Sequence, residues 1–568
     1  MELSRLIEVA RGDAPADLVL ANGRIVNTFT GGVEEGNVAI YQGRIAGVGD
    51  YTWGKEKVDV GGRFLCPGLI DGHVHIESSY LHVGQYARAV IPRGTLAVVA
   101  DAHEIANVKG LEGLRYFIDC ARRVPMEMFF TAPSCVPATA LETSGAKLGP
   151  QDVRRALRWR RVVALGEMMN FPGVIGADEE VLAKIGAAQG RVRDGHAPRV
   201  RGKELNAYLC PLIGSDHETT GAGEAREKLR RGMRLMIREG SSEKNLEELL
   251  PVVDDGNYHR CMLVVDDRNA KDLYRDGDMD AVVRKAIALG LEPVRAIQMA
   301  TLTPAEYFRL EGLGAIAPGY WANILILGDL REFRVEEVFY RGRRVARDGR
   351  ALFSVRGPKS GEMTGTMRVK PFRVEDLSLR AGSRATFPVI EVVPGQIVTR
   401  WVEDRVSLRD GQVVADASRD LMKLVVIERH RGTGNIGVGL VKGLGLKEGA
   451  MGTSVAHDSH NIVVAGADDR DIYAVAKEIE GNEGGLAVAS GGKVLGALPL
   501  PIAGLMSPEP LEWVAARVEE LEGKVWVMGC RVASPFSVLS FLALPVIPEL
   551  KLTDMGLVDS TRVELVRL

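Results

Sequence analysis

Six side chains stand out by type and position: His73 and His75 in PGLIDGHVHIESS, Glu167 in RVVALGEMMN, His196 in DGHAP, His217 in IGSDHETTG and Asp266 in MLVVDDRN. The chain has only ten histidines, and most fall where an apolar run gives way to polar residues. Residues two apart on a strand point the same way, so His73 and His75 can reach one ion from a single strand. Imidazole and carboxylate are ligand types for Zn, Mn or Fe. In chain order the set reads His, His, Glu, His, His, Asp, as a two-metal site would use. There a carboxylate bridges the ions and a shared hydroxide becomes the nucleophile. Any one of the six could be an ordinary loop residue; all six at strand ends point to a metal-dependent hydrolase.

Something must hold these residues on one rim. Between residues 67 and 315, short apolar runs such as LAVVAD and CMLVVDD alternate with helix-length amphipathic stretches such as GLEGLRYFIDCARRV. That alternation predicts an α/β fold, a (β/α)8 catalytic barrel whose strand ends carry the chemistry. The flanking segments 1–66 and 316–355 are different: alternating apolar residues broken by Asn-Gly, Gly-Gly and Gln-Gly turns. They are expected to form one small β-sandwich domain built from both sides of the barrel. Residues 355–369 read as a linker, and 370–568 as a separate C-terminal α/β domain, with strands at 422–428 and 461–467 and a helix at 469–481.

Bulk properties narrow the function classes. A chain of 568 residues is too long for one hydrophobic core. With 26% charged residues and a net charge of −3, it offers no electrostatic case for nucleic acid or an anionic membrane surface. The six cysteines include no C-x-x-C pair, which fits free thiols in a reducing compartment. Charges throughout the first residues leave no apolar signal peptide, and no apolar run approaches the ~18 residues that span a bilayer. The expected location is cytoplasmic.

PGLIDGHVH resembles the first-strand motif of the amidohydrolase superfamily, whose members also set a split β-domain around a barrel. More narrowly, HIESS, PRGTLAVVADAHEIANV, GEMMNFPGVIG, DGHAP, SDHETT, GMRLMIREGS and DDRN resemble the adenine deaminase family. So do ERHRGTGNIGVGLVKGLGLKEGA, SVAHDSHNIVV and LPLPIAGLMS, which carries the resemblance from near residue 17 to about residue 507. Two departures are visible: the family commonly has DPHE where this chain has Asp101-Ala102-His103-Glu104, and often Thr where Val265 stands. Neither removes a ligand.

The resemblance implies hydrolytic deamination of adenine to hypoxanthine and ammonia, with a related aminopurine or cyclic amide as the alternative substrate. A barrel that has lost catalysis would show eroded ligands, and all six are present. The resemblance further implies that His73, His75, His196 and His217 bind metal, Glu167 bridges, and Asp266 is the last-strand aspartate. Two divalent ions, Mn or Fe(II) with Zn as a further option, and a homodimer follow by the same analogy. The chemistry asks for a proton acceptor at the water, for which Asp266 is the natural choice. It also asks for an acid at ring N1, for which Glu218, Asp101, His103 and Glu104 are candidates. Glu218 neighbours His217, and adjacent strand residues point to opposite faces unless the backbone has entered the loop. Asp267 and Glu104 are candidate contacts to the purine. GTGNIG at 432–437 mimics a dinucleotide fingerprint but lacks a following helix, so no nucleotide site is expected. His457 and His460 read as hydrogen-bonded structural histidines, the alternative being a loop that reaches over the barrel mouth. His82, His259 and His430 receive no role.

Overall fold

The computed structural model describes residues 3–566 apart from 358–360, 362, 383 and 385, so part of the expected linker lies outside the described residues. Eight parallel strands form the middle of the chain: β1 Leu69–Val74, β2 Thr95–Ala100, β3 Glu127–Ala132, β4 Val162–Met168, β5 Val192–Gly195, β6 Ser215–Asp216, β7 Arg234–Arg238 and β8 Cys261–Val264. Strands β1, β2 and β8 are buried at every position, as parallel strands are when helices cover them. Side chains alternate between two cores. Ala97 and Val99 join Ile70, Met236 and Met262 in one cluster, while Leu96, Val98 and Ala100 pack into another.

Strands β1–β5 pair in order, as do β6–β8. Backbone bonds close the two seams. Gly214 N donates to Arg193 O at 3.0 Å between β5 and β6, and Asp266 N donates to His73 O at 3.0 Å between the end of β8 and β1. The ring is complete, with helices such as Val83–Val90, Leu111–Ala121 and Met279–Ala288 on the connections.

The flanking segments meet in one nine-stranded sheet, in which Phe64–Pro67 pairs antiparallel with Ile324–Leu327. Leu18, Leu20, Val38, Ile40 and Leu65 from the first segment share a core with Ile324, Ile326 and Phe339 from the second. Each such side chain contributes about 1.5–3 kcal/mol on burial.

In the C-terminal part an eight-stranded mixed sheet carries helix Asp469–Gly481 on one face, where Val425, Ile427 and Val464 meet Ile472, Val475 and Ile479. The alternate residues Leu424, Val426 and Val463 belong to the same apolar cluster as barrel residues Leu69 and Val98. Polar ties cross this seam. Asp554 accepts from Thr143 N and Oγ1 at 2.8 and 2.7 Å, Lys271 pairs with Glu522, and Ser507 exchanges backbone bonds with Tyr80 and His82. Residues 428–435 connect antiparallel strands Leu421–Ile427 and Ile436–Lys442, with Gly432 and Gly434 at φ +64° and +83°, so GTGNIG runs from this turn into the second strand. No helix follows, as the sequence pattern required. Among the described residues no helix is long and apolar enough to cross a membrane, and no disulfide joins any of the six cysteines.

Candidate metal centre

His73 and Glu167 lie at the ends of β1 and β4, and His75, His196, His217 and Asp266 follow the ends of β1, β5, β6 and β8. The barrel brings all six together, and all are buried. Glu167 divides its oxygens between two pairs of histidines. Oε1 lies 3.6 Å from His73 Nε2 and 3.4 Å from His75 Nε2; Oε2 lies 3.3 Å from His217 Nε2 and 2.6 Å from His196 Nδ1. Asp266 Oδ1 faces the first pair, 3.3 Å from His75 Nε2 and 3.6 Å from His73 Nε2.

These gaps bear on metal binding. Two ligands each about 2.0–2.2 Å from a tetrahedral ion stand roughly 3.4 Å apart. His73 Nε2 is buried without a hydrogen-bond partner among the described residues, at a distance from both carboxylates too long for a charge-assisted bond. The donors therefore fit a divalent metal of the Zn, Mn or Fe class.

The neighbouring residues fix each candidate ligand. His73 presents Nδ1 to Asp194 Oδ2 at 3.3 Å, and Asp194 is held by the Ser215 hydroxyl. His75 presents Nδ1 to the Asp101 carbonyl at 3.0 Å. Such outer partners orient a ligating ring and raise its basicity. The backbone at His196 is pinned by Tyr208 Oη at 2.9 Å, and the next residue by Asp216 Oδ1 at 2.7 Å. Asp266 adopts a left-handed φ of 67° between its two backbone bonds to β1, a conformation aspartate tolerates better than most residues. Burial opposes ionisation of Asp266, but His75, His217, Arg238 and His73 hold its carboxyl well below the usual range. Glu167 is similar: burial opposes its charge and His217, His196 and His75 outweigh it. Both are in the charged form that ligation needs.

The remaining candidates separate. Strand β6 is only two residues long, so His217 and Glu218 already lie in the loop and both face the centre. Glu218 Oε1 is 3.7 Å from His217 Nε2 and 3.9 Å from His196 Nδ1. Both its oxygens accept from the buried Arg238 guanidinium, which also donates to Asp266 Oδ2 at 2.9 Å and to Asn245 Oδ1 at 3.0 Å. Arg238 escaped the sequence reading, although it ends the apolar run RLMIR as the ligands end theirs. Asp101 accepts from Glu167 N at 2.8 Å and turns its other oxygen to His103 Nδ1 at 3.3 Å. His103 Nδ1 also lies 3.5 Å from Glu167 Oε1. Glu104 turns to the C-terminal domain, where His457 and His460 bond to its two oxygens. The VAHDSHN loop thus meets the barrel and is hydrogen-bonded as well. Asp267 accepts from Ser78 Oγ and borders a small cavity with Ser242, His457, Ser537 and Phe541. His82 caps helix Val83–Val90 by accepting from Gly84 N, and His430 Nε2 meets the Ser459 carbonyl at 2.6 Å. His259 sits in a short turn, Tyr258–Arg260.

Comparison with known proteins extends this picture along the whole chain. The amidohydrolase family model matches residues 64–345, and the adenine deaminase C-terminal domain model matches residues 396–564. An adenine deaminase of Dehalococcoides mccartyi is 54% identical, over 99% of this chain and 99% of its own. Adenine deaminase 2 of Carboxydothermus hydrogenoformans is 48% identical, over 98% of this chain and 97% of its own. Among solved structures, an adenosine deaminase of Xanthomonas campestris with bound zinc covers 60% of this chain and 95% of its own at 12% identity, with a TM-score of 0.46.

Proposed function

This chain belongs to the adenine deaminases of the amidohydrolase family, and from that premise we propose how its residues divide the work of turning adenine and water into hypoxanthine and ammonia. Two divalent ions, Mn or Fe(II) with Zn as the alternative, would be held by His73, His75, Glu167 and Asp266 on one side and Glu167, His196 and His217 on the other. Bound there, they supply Lewis acidity and bring the pKa of water near neutrality.

The protein's own groups do the rest. Asp266 takes the proton of the water that attacks C6, and later gives a proton to the departing amine. Glu218, held in line by Arg238, passes a proton to ring N1 and regains one from the C6 hydroxyl as the carbonyl of hypoxanthine forms. Asp101 positions the backbone of Glu167 and the ring of His103. Asp267, beside the small cavity, meets the purine edge. The domain division 1–66 with 316–355, 67–315 and 370–568, a cytoplasmic location and a homodimer complete the reading. The six unbridged cysteines support the compartment, and family resemblance supports the dimer.

One observation carries this: Glu167 offers a different oxygen to each of two histidine pairs. The test is ammonia release from Mn-loaded protein with adenine, adenosine, guanine and cytosine. Adenine should turn over far faster than adenosine, and metal-stripped protein should need about two equivalents for recovery. Equal turnover of adenosine overturns the free-base reading, and full recovery with one equivalent overturns the pair of ions.

A further inference from the structure

A second group of imidazoles and carboxylates lies where the barrel meets the C-terminal domain. His103 and Glu104 open helix His103–Lys109, and His457, Asp458 and His460 come from the loop between strands Ala450–Thr453 and Ile462–Gly466. All five are buried. His103 Nε2 stands 3.4 Å from Glu104 Oε1 and 3.5 Å from Asp458 Oδ1, while its Nδ1 faces Asp101 Oδ1 at 3.3 Å. His457 Nδ1 and His460 Nε2 meet the two oxygens of Glu104. Asp458 Oδ2 has no hydrogen-bond partner among the described residues, although only 2% of the residue is exposed.

Two carboxylate oxygens facing one imidazole nitrogen in a dry site need a cation between them, either a proton or a metal ion. A proton would draw the groups to about 2.7–2.9 Å. Separations of 3.4 and 3.5 Å are instead those of two ligands about 2.1 Å from one ion. They match the 3.3–3.6 Å by which His73 and His75 face Glu167 and Asp266. A further carboxylate lies close by. Glu142 has a buried Oε2 without a partner among the described residues, and burial together with Asp458 raises its carboxyl well above the usual range.

We propose that His103 Nε2, Glu104 and Asp458 hold a third divalent cation of the Zn, Mn or Fe class, separate from the ions at Glu167 and shared between barrel and C-terminal domain. His457 and His460 orient Glu104, as outer partners orient ligands elsewhere. Three protein ligands leave one position for water.

Metal analysis of the metal-replete full chain by mass spectrometry should give three ions per protomer. Anomalous difference maps from its crystals should place the third peak between His103, Glu104 and Asp458. Asp458→Ala should remove that peak alone, leaving two ions at Glu167. His217→Asn should deplete the Glu167 centre and leave the third peak in place. Because the peaks are spatially distinct, loss of this site and failure of the two-ion reading are told apart directly. A metal-replete wild-type map without density at Asp458 overturns the proposal, as does an Asp458→Ala protein that keeps all three peaks. Should that variant not fold, the wild-type map decides alone.

Discussion

Glu167 and Glu104 are both buried glutamates with a histidine against each oxygen, but they are built differently. Every group facing the oxygens of Glu167 sits on or just beyond a barrel strand end or at the opening of the helix after β2, and Asp266 closes the barrel with its own backbone. The two histidines on Glu104 lie 353 and 356 residues away in sequence, on a loop of the C-terminal domain. The first arrangement inherits its geometry from a hydrogen-bonded ladder. The second exists only while two domains are docked. A change near Glu167 should therefore act on chemistry or on metal directly, and a change at the seam should act through docking or through the cation proposed there.

The strongest attempt to break this contrast is Asp266→Asn. The amide keeps the shape and can offer an oxygen to a metal, but it cannot accept a proton. Turnover should fall by about 10²–10⁴-fold, the usual effect of losing a positioned base, while metal content falls far less. Near-normal turnover would move the proton role to Glu218 or Asp267.

Asp194→Asn should act one step further out. Asp194 touches no reacting atom, yet it holds the ring of His73. Weakening such a partner typically lowers metal affinity about 10–100-fold, which competition with a chelator would measure. Unchanged affinity would mean that β1 alone fixes the ring.

At the seam the expected effect is smaller and pH-dependent. Glu522 faces Lys271 across the barrel–C-terminal contact, and burial pushes its carboxyl up to about 7 from an ordinary 4.5, against the pull of Lys271. The folded state then binds more protons at Glu522 than the unfolded state between those values, so the stability that Glu522 contributes is fully present below about 4.5 and is lost as pH rises through about 7. The slope is at most about 1.4 kcal/mol per pH unit. Denaturant melts of wild type and Glu522→Gln across that window should show the slope reduced in the variant. Parallel curves would remove Glu522 as its source.

The same contrast explains what was legible in the sequence. The convergence of the six side chains could be read because each ends or follows an apolar run, a local pattern. The split β-domain could be read from turn residues on either side, although the pairing of Phe64–Pro67 with Ile324–Leu327 is a tertiary fact. The position of Glu218 could not be settled from alternation, because β6 stops two residues after it starts. Arg238 was missed because a strand-ending arginine looks like any solvated one until its carboxylate partners are placed. The partners of Glu104 were out of reach altogether, since nothing local to VAHDSHN points to residue 104.

The antiparallel pairing of Phe64–Pro67 with Ile324–Leu327, and the bonds between β1 and Asp266, matter while the chain is being made. The first barrel strand and its flanking β-segment emerge from the ribosome early, but their partners emerge late. At about 5–20 residues per second this interval is on the order of tens of seconds. Throughout it, β1 presents an unpaired apolar edge, the kind of surface that seeks any available strand. The nascent chain is therefore most exposed to aggregation before residue 327 is free, and chaperone capture during synthesis should concentrate on that stage.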